Sequence, residues 1–352
     1  MESTAPEVDK ALSALESVIK KSRVHLYKPI QIAEILYRDR VKRDIDLGDL
    51  ETYRKKSKAW RDKVTKLLTG NVSTSSAKFQ DNLFESNAIP PKFLVVLGEE
   101  NRRTDGGVEK KIYKRFKERF TDIEDVASYA NKSKPENFSL LTFLTHIEER
   151  PGLKRSIDKI YEIVVYSLFE TLIDEMDINI NISVNNPNSP IFSEFADFSE
   201  KVFNNEFPHS HPEKSAKLFR VGVANAADRG LDMWGNFGLA IQIKHLTISE
   251  EMAENIVESV NADRIVIVCK DAEERIILSL INQLGWKGRV QSVITLNELE
   301  KWYTRAMCGK LSHILGSKIL ERLVEQITLE FPMTSGSEKI QSFFEDRGYL
   351  DF

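Results

Sequence analysis

The sequence predicts an α/β (α+β) fold, a mixed β-sheet flanked by helices and preceded by a mainly helical N-terminal region, and three observations carry that expectation. Up to about residue 145 the apolar residues recur at helical spacing. Strand patterns then arrive in close succession, LFRVGVA (218–224), GLDMW (230–234) and LAIQIKHLTI (239–248). Strands RIVIVC (264–269) and RVQSVIT (289–295) follow, interleaved with helical stretches, so the second half reads αβββαβαβα.

Each element has a local reason. Residues 5–22 and 28–43 are amphipathic, and Pro29 sits near a first turn, where its missing N–H costs nothing. Residues 49–69 and 108–120 read as basic helices, and 70–76 as a polar loop. The apolar run Phe93 to Leu97 reads as a short strand leading into a polar loop, EENRRTDGG. A helix over 153–176 carries Ile160, Ile163, Val164, Leu168 and Leu172 on a broad stripe, as expected of a helix packed on a sheet. NISVNNPNSP (181–190) is a break, and 249–261 begins as a helix with Ser249 ahead of Glu250 and Glu251. A further helix is expected over 271–284.

The 352 residues suffice for two domains, expected at 1–150 and 151–352. A hydrophobic content of 41% with 30% charged residues fits a globular chain. Two cysteines without a CxxC spacing, Cys269 and Cys308, suggest neither a disulfide framework nor a structural zinc site, and point to a reducing, cytoplasmic setting. No secretory leader is expected from MESTAPEVDK, and no run approaches the ~18 apolar residues of a membrane span. The net charge of -4 hides an asymmetry: residues 1–150 hold 29 Lys and Arg against 24 Asp and Glu, and 151–352 hold 21 against 30. The first part is therefore the one expected to meet phosphates. Neither a Walker P-loop nor GxGxxG occurs, so nucleotide hydrolysis and dinucleotide chemistry lack support.

The chemistry concentrates in RGLDMWGNFGLAIQIKHLTI, which reads as a tight hairpin. Side chains alternate along a strand, so Gln242 and Lys244 share a face that Asp232 on the preceding strand can also meet. Oxygen ligands for a hard cation and an ammonium to steer the attacking water are what metal-dependent phosphodiester cleavage requires. The same alternation also describes an edge hairpin with its polar residues in water.

These residues carry a resemblance. The order helix, three strands, helix, strand, with Asp232 and then Gln242-x-Lys244, resembles the PD-(D/E)xK nuclease superfamily, and KSRVHLYKPIQIAEILY (21–37) with DRGLDMWGNFGLAIQIKHLT is similar to the HaeII-type type II restriction endonucleases over most of the chain. The resemblance implies a restriction-endonuclease-like core in which Asp232 bridges metal, Gln242 stands where Asp or Glu is usual, and Lys244 is the motif lysine. Two departures stand out: Gly230-Leu231 replaces the proline that names the motif, and Gln242 offers a neutral amide oxygen, which weakens the pull on a hard cation. A glutamate from the preceding helix is also implied. Glu162 is the choice, because a carboxylate set in so apolar a stretch needs a partner; Glu170 is the reserve.

The implied activity is Mg2+-dependent hydrolysis of double-stranded DNA, with the ion held by Asp232, Gln242, the Ile243 carbonyl and Glu162. Its implied target is a short palindromic GC-rich site of the RGCGCY class, which in turn implies a homodimer and a cognate DNA methyltransferase in the same system. Lys55, Lys56 and Lys58 are candidate phosphate contacts, or else an exposed helix face, and Arg102 and Arg103 could read guanine edges bidentately. The stretches Arg38 to Arg43 and Lys110 to Lys117 stand with the lysines. His209 and His211 form an HxH without a nearby third ligand, so a solvated loop is the better reading; Asp228 and Arg229 read as turn residues and His245 as a core histidine. The alternatives are a repair or junction nuclease on the same core and a non-catalytic DNA-binding protein that kept the fold.

Overall fold

The structure is a computed structural model that describes residues 4–349 apart from 74–81, 86–87, 183–185, 187, 204–212, 222–230, 261, 273–288 and 333–336. Its helices in chain order are α1 (Ala5–Lys21), α2 (Tyr27–Tyr37), α3 (Lys56–Thr69), α4 (Pro91–Arg103), α5 (Gly107–Lys132), α6 (Leu140–Glu148) and α7 (Ile157–Glu175), then α8 (Pro190–Glu194), α9 (Ala196–Phe203), α10 (Glu250–Ser259), α11 (Leu296–Cys308), α12 (Ser312–Glu330) and α13 (Ser337–Asp346). The strands are β1 (Asn179–Asn181), β2 (Glu213–Ser215), β3 (Leu218–Arg220), β4 (Met233–Gly235), β5 (Leu239–Ile248), β6 (Arg264–Ala272) and β7 (Val290–Thr295). Two compact units divide the chain: residues 1–163 with 320–352 belong to one, and 164–221 with 228–319 to the other.

The first unit is helical and is built around α2, whose residues Pro29 through Leu36 are all buried. A helix enclosed on every side must satisfy its own polar side chains. Gln31 pairs with the Ser57 hydroxyl at 2.9 Å and with Arg61 at 3.2 Å. Glu34 accepts from the Tyr113 hydroxyl at 2.6 Å and from both Arg347 amino groups, at 2.7 and 3.0 Å. A second buried carboxylate, Glu109, holds the Arg40 guanidinium, the Asn101 amide and the Tyr349 hydroxyl. Residues beyond α13 therefore complete the interior of helices that begin the chain. Arg119, buried on α5, donates to the carbonyls of Ile19, Ser22 and Arg23 and so closes the end of α1.

The second unit carries a five-stranded mixed sheet in the order β3-β4-β5-β6-β7, antiparallel from β3 to β5 and parallel from β5 to β7. Turn Asn236-Phe237-Gly238 joins β4 to β5, and Gly238, at φ 82°, supplies the left-handed residue that a three-residue hairpin loop uses. β6 is buried without interruption from Ile265 to Cys269, as a strand covered on both faces must be. On one face Ala240, Ile265 and Ile267 pack with Ala253, Ile256 and Val260 of or just beyond α10. α11 lies against β6 and β7, and its Tyr303 donates to the Val164 carbonyl of α7 at 2.8 Å. Burial of the Cys269 thiol pushes its pKa up to about 12, while Cys308 is exposed.

The mixed sheet and the helical first region match the expected fold class, but several elements differ. The run Phe93 to Leu97 is not a strand; it lies within α4. Its buried residues Leu94, Leu97, Gly98 and Asn101 keep helical spacing, and the window that suggested a strand ended before the pattern repeated. Pro91 opens that helix at a position where a proline is tolerated. Arg102 and Arg103 accordingly lie in its last turn rather than in a loop. The helix expected over 49–69 is split into a short 3-10 turn, Leu50–Thr52, and α3, with Asp49 accepting from the Glu51 N–H. α5 runs on to Lys132, and β6 extends to Ala272, two residues into the helix expected from 271; the remainder of that helix lies outside the described residues. Among the described residues no helix is long and apolar enough to cross a membrane.

His25, between α1 and α2, stacks with Tyr27 at 5.4 Å and Phe331 at 6.4 Å. Burial lowers its pKa from 6.5 to about 4, with Arg23 adding to the effect, so it is neutral when folded. The unfolded chain binds the extra proton first, so this contribution to stability is complete above about pH 6.5 and is lost as the pH falls toward 4. Urea midpoints measured across that window should drop with pH, with a slope of at most about 1.4 kcal/mol per unit from this one group. His25→Phe should flatten the slope; an unchanged slope would place the titration elsewhere.

Candidate active site

The β4–β5 ladder pairs Gly235 with Leu239 and Met233 with Ile241, and there it stops. Continued one step, it would give the Ile243 N–H a backbone carbonyl on β4. Instead Ile243 N–H donates to Asp232 Oδ2 at 2.7 Å, and the Gln242 side-chain amide donates to the same oxygen at 2.5 Å. Asp232 keeps its backbone pairing with the other neighbour, its carbonyl accepting from Val221 at 2.8 Å. The sheet therefore parts between β4 and β5 at the point where the carboxylate enters. A buried N–H needs an acceptor, and a carboxylate is a strong one, so the opening leaves no orphan on the backbone.

The pairing fixes which way Gln242 points. With its nitrogen on Asp232, its Oε1 is turned away, buried and without a hydrogen-bond partner among the described residues. An amide oxygen so placed beside a carboxylate in a nearly closed position, with Gln242 2% and Asp232 8% exposed, has the chemistry of a cation ligand. The donor set is all oxygen, which suits a hard divalent cation. Among the described residues no three His, Cys, Asp or Glu side chains group as a metal site, as follows when a glutamine takes the place of an acid.

Lys244, two residues along β5, is half-buried. Directly after it the register with β6 shifts: Lys244 faces Cys269 and Thr247 faces Asp271, so β5 carries one extra residue across His245 and Leu246. Such a bulge re-aims the side chains around it. His245 is thus half-buried in the bulge rather than a core residue, because the alternation that placed it inside is interrupted there.

Glu162 is buried on α7, its Oε2 2.8 Å from Lys159 Nζ. That ion pair answers the burial cost that singled the residue out. Glu170, further along the same helix, is half-buried. Of the basic candidates, Lys55, Lys56 and Lys58 are exposed and take part in no ion pair among the described residues. Arg38 pairs with Asp44 and lies over the Trp60 ring at 4.4 Å, and Arg40 is spent on Glu109 and Asp105. Arg102 pairs with Asp39, and Arg103 with Glu100 at 2.7 Å. His209, His211, Asp228 and Arg229 lie outside the described residues. Sequence reasoning passed over the exposed pair Phe219 and Trp234, whose rings stack at 4.5 Å. A register between strands shows it, and no spacing along the chain does.

The chain is similar to known proteins along almost its whole length. It is 53% identical over 343 residues to the type II restriction enzyme HaeII of Haemophilus aegyptius and 51% identical over 343 residues to the type II restriction enzyme NgoBI of Neisseria gonorrhoeae, each match covering 97% of both chains. No solved structure matches it. A sequence profile of the HaeII restriction endonuclease matches residues 11–349, and the chain therefore belongs to the HaeII restriction endonuclease family.

Proposed function

We propose that this chain, a type II restriction endonuclease by family, hydrolyses double-stranded DNA with Mg2+ at a short palindrome of the RGCGCY class, as a homodimer kept in check by a cognate methyltransferase in the cytoplasm. The observation that carries the chemistry is the buried, unpartnered Gln242 Oε1 beside Asp232. Asp232, Gln242 Oε1 and the Ile243 carbonyl would hold the ion, with Glu162 as a further ligand assigned by family resemblance. Bound there, a divalent cation supplies Lewis-acid activation of water and offsets charge on the scissile phosphate. Asp232 meanwhile keeps Gln242 turned outward through its 2.5 Å hydrogen bond. Lys244 orients the attacking water and stabilises charge that develops at phosphorus. The exposed lysines that open α3 contact phosphates. Arg102 and Arg103 would have to exchange their carboxylate partners for guanine to read a base.

Plasmid digestion with Mg2+ and mapping of the ends tests the whole reading; random nicking, or cutting only at junctions or damaged sites, would favour a repair nuclease instead. Asp232→Ala and Lys244→Ala should each cut at least ~100-fold more slowly, a loss typical of removing one group that stabilises the transition state, while specific binding in a gel shift persists. Rates within a few-fold of wild type would remove these residues from the site.

Gln242→Glu should keep a working site and shift the Mg2+ titration to lower concentration, because it adds negative charge toward the cation. Gln242→Ala should shift it the other way. Equal titrations for the wild type and the alanine variant would mean that Oε1 holds no metal.

Neutralising Lys55, Lys56 and Lys58 together should weaken binding to all duplexes alike. It should also lower the slope of log affinity against log salt by about 0.9 for each phosphate that the variant leaves without its lysine. An unchanged slope would return these lysines to the solvent.

A further inference from the structure

We propose that Phe219 and Trp234 form a stacking platform for a nucleobase of the strand being cut, within two nucleotide steps of the phosphate at the Asp232 site. The inference rests on the nuclease reading above. Pairing across the sheet puts Phe219 opposite Trp234 and Trp234 opposite Ala240, so the three share a row on one face. Asp232 and Gln242 lie two residues further along β4 and β5, in the next row of that face, about 7 Å away by the rise of a strand. The rings stack at 4.5 Å with 22° between their planes, and the two residues are 38% and 42% exposed.

The face is divided. Core residues packed with α10 cover it from Ala240 across Ile265 and Ile267. The β3–β4 side is left with two exposed aromatic rings, and Asp232, Gln242 and Lys244 lie along the border. A cross-strand aromatic pair stabilises a hairpin, which explains why the rings touch but not why both stay exposed. Next to a site that cuts DNA, the occupant is given by continuity with the substrate. Successive nucleotides of one strand rise about 3.4 Å, so the platform lies within two steps of the scissile phosphate. Apolar side chains that enter a groove part base steps, and any base stacks on an exposed ring. The platform therefore contributes to holding the substrate, in KM more than in kcat, without choosing the base.

The test uses the full-length enzyme and a duplex carrying the mapped site, with 2-aminopurine placed in turn at the two nucleotides on either side of the cut. In metal-free buffer one of these positions should brighten on binding. Trp234→Leu should lose that rise and increase KM about ten-fold, and Trp234→Phe should restore both. Removing the base at the brightened position should abolish the difference between Trp234→Leu and wild type. An unchanged KM, an equal penalty on the abasic duplex, or no brightening at any position overturns the platform. So does a Trp234→Leu protein that binds DNA normally but sediments as a smaller species, which would make the pair an interface between copies. If Trp234→Leu does not fold by thermal melting, Phe219→Leu is read against the same outcomes. Failure of the wild type to cut any duplex would instead sink the nuclease reading itself.

Discussion

One carboxylate oxygen organises the opening in the sheet of the second unit. Asp232 Oδ2 takes the Ile243 N–H that strand β4 abandons and the amide nitrogen of Gln242, and both bonds follow from the parting of β4 and β5. Without an acceptor there, the opening would strand a buried donor, at a cost of about 1–3 kcal/mol. With it, the Ile243 N–H keeps an acceptor where the strands part, and the glutamine oxygen is turned away from the carboxylate. The aspartate thus shapes the backbone around it as well as the orientation of Gln242. The bulge after Lys244 acts on the other side of the same strand, so β5 is irregular toward both neighbours within a few residues.

The mixed sheet was legible because its signals are local. The continuous apolar run of β6 and the Ser249 cap each lie within one element, and the structure has both; the alternation read in LAIQIKHLTI holds only in part, since Ala240 to Ile243 are all buried. The approach of Gln242 to Asp232 followed from the two-residue period of a strand. Where the reading missed, either the window was short or the cause was distant. Phe93 to Leu97 looked extended because the helical repeat reaches as far as Asn101. The roles of Arg40 and Arg102 were hidden because Glu109 and Asp39 lie 69 and 63 positions away. Nothing in the one-dimensional pattern separates an arginine that balances a buried acid from one that waits for a phosphate.

That distinction redistributes the basic charge of the helical unit. Arg40, Arg61 and Arg119 serve its interior and its helix ends, while Lys55, Lys56 and Lys58 stay exposed. Arginine suits the former work, since its planar fork satisfies two acceptors at once, and lysine remains a hydrated point charge on a flexible stem. The net charge of a segment overstates what it can offer to DNA when much of it is committed internally.

The interior of the helical unit also sets an order of events. Glu34 and Glu109 lie among the first unit's helices, yet Arg347, which pairs with Glu34, and Tyr349, which donates to Glu109, come 313 and 240 positions later in the chain. A buried carboxylate deprived of its cation is strongly unfavourable, by about 3–5 kcal/mol when one partner is removed. The interior around Glu34 cannot gain its cation until translation has passed the sheet and reached Arg347. A product truncated before Arg347 would hold Glu34 in its core without that cation, while Glu109 would keep Arg40, and the loosened interior would expose the chain to proteolysis.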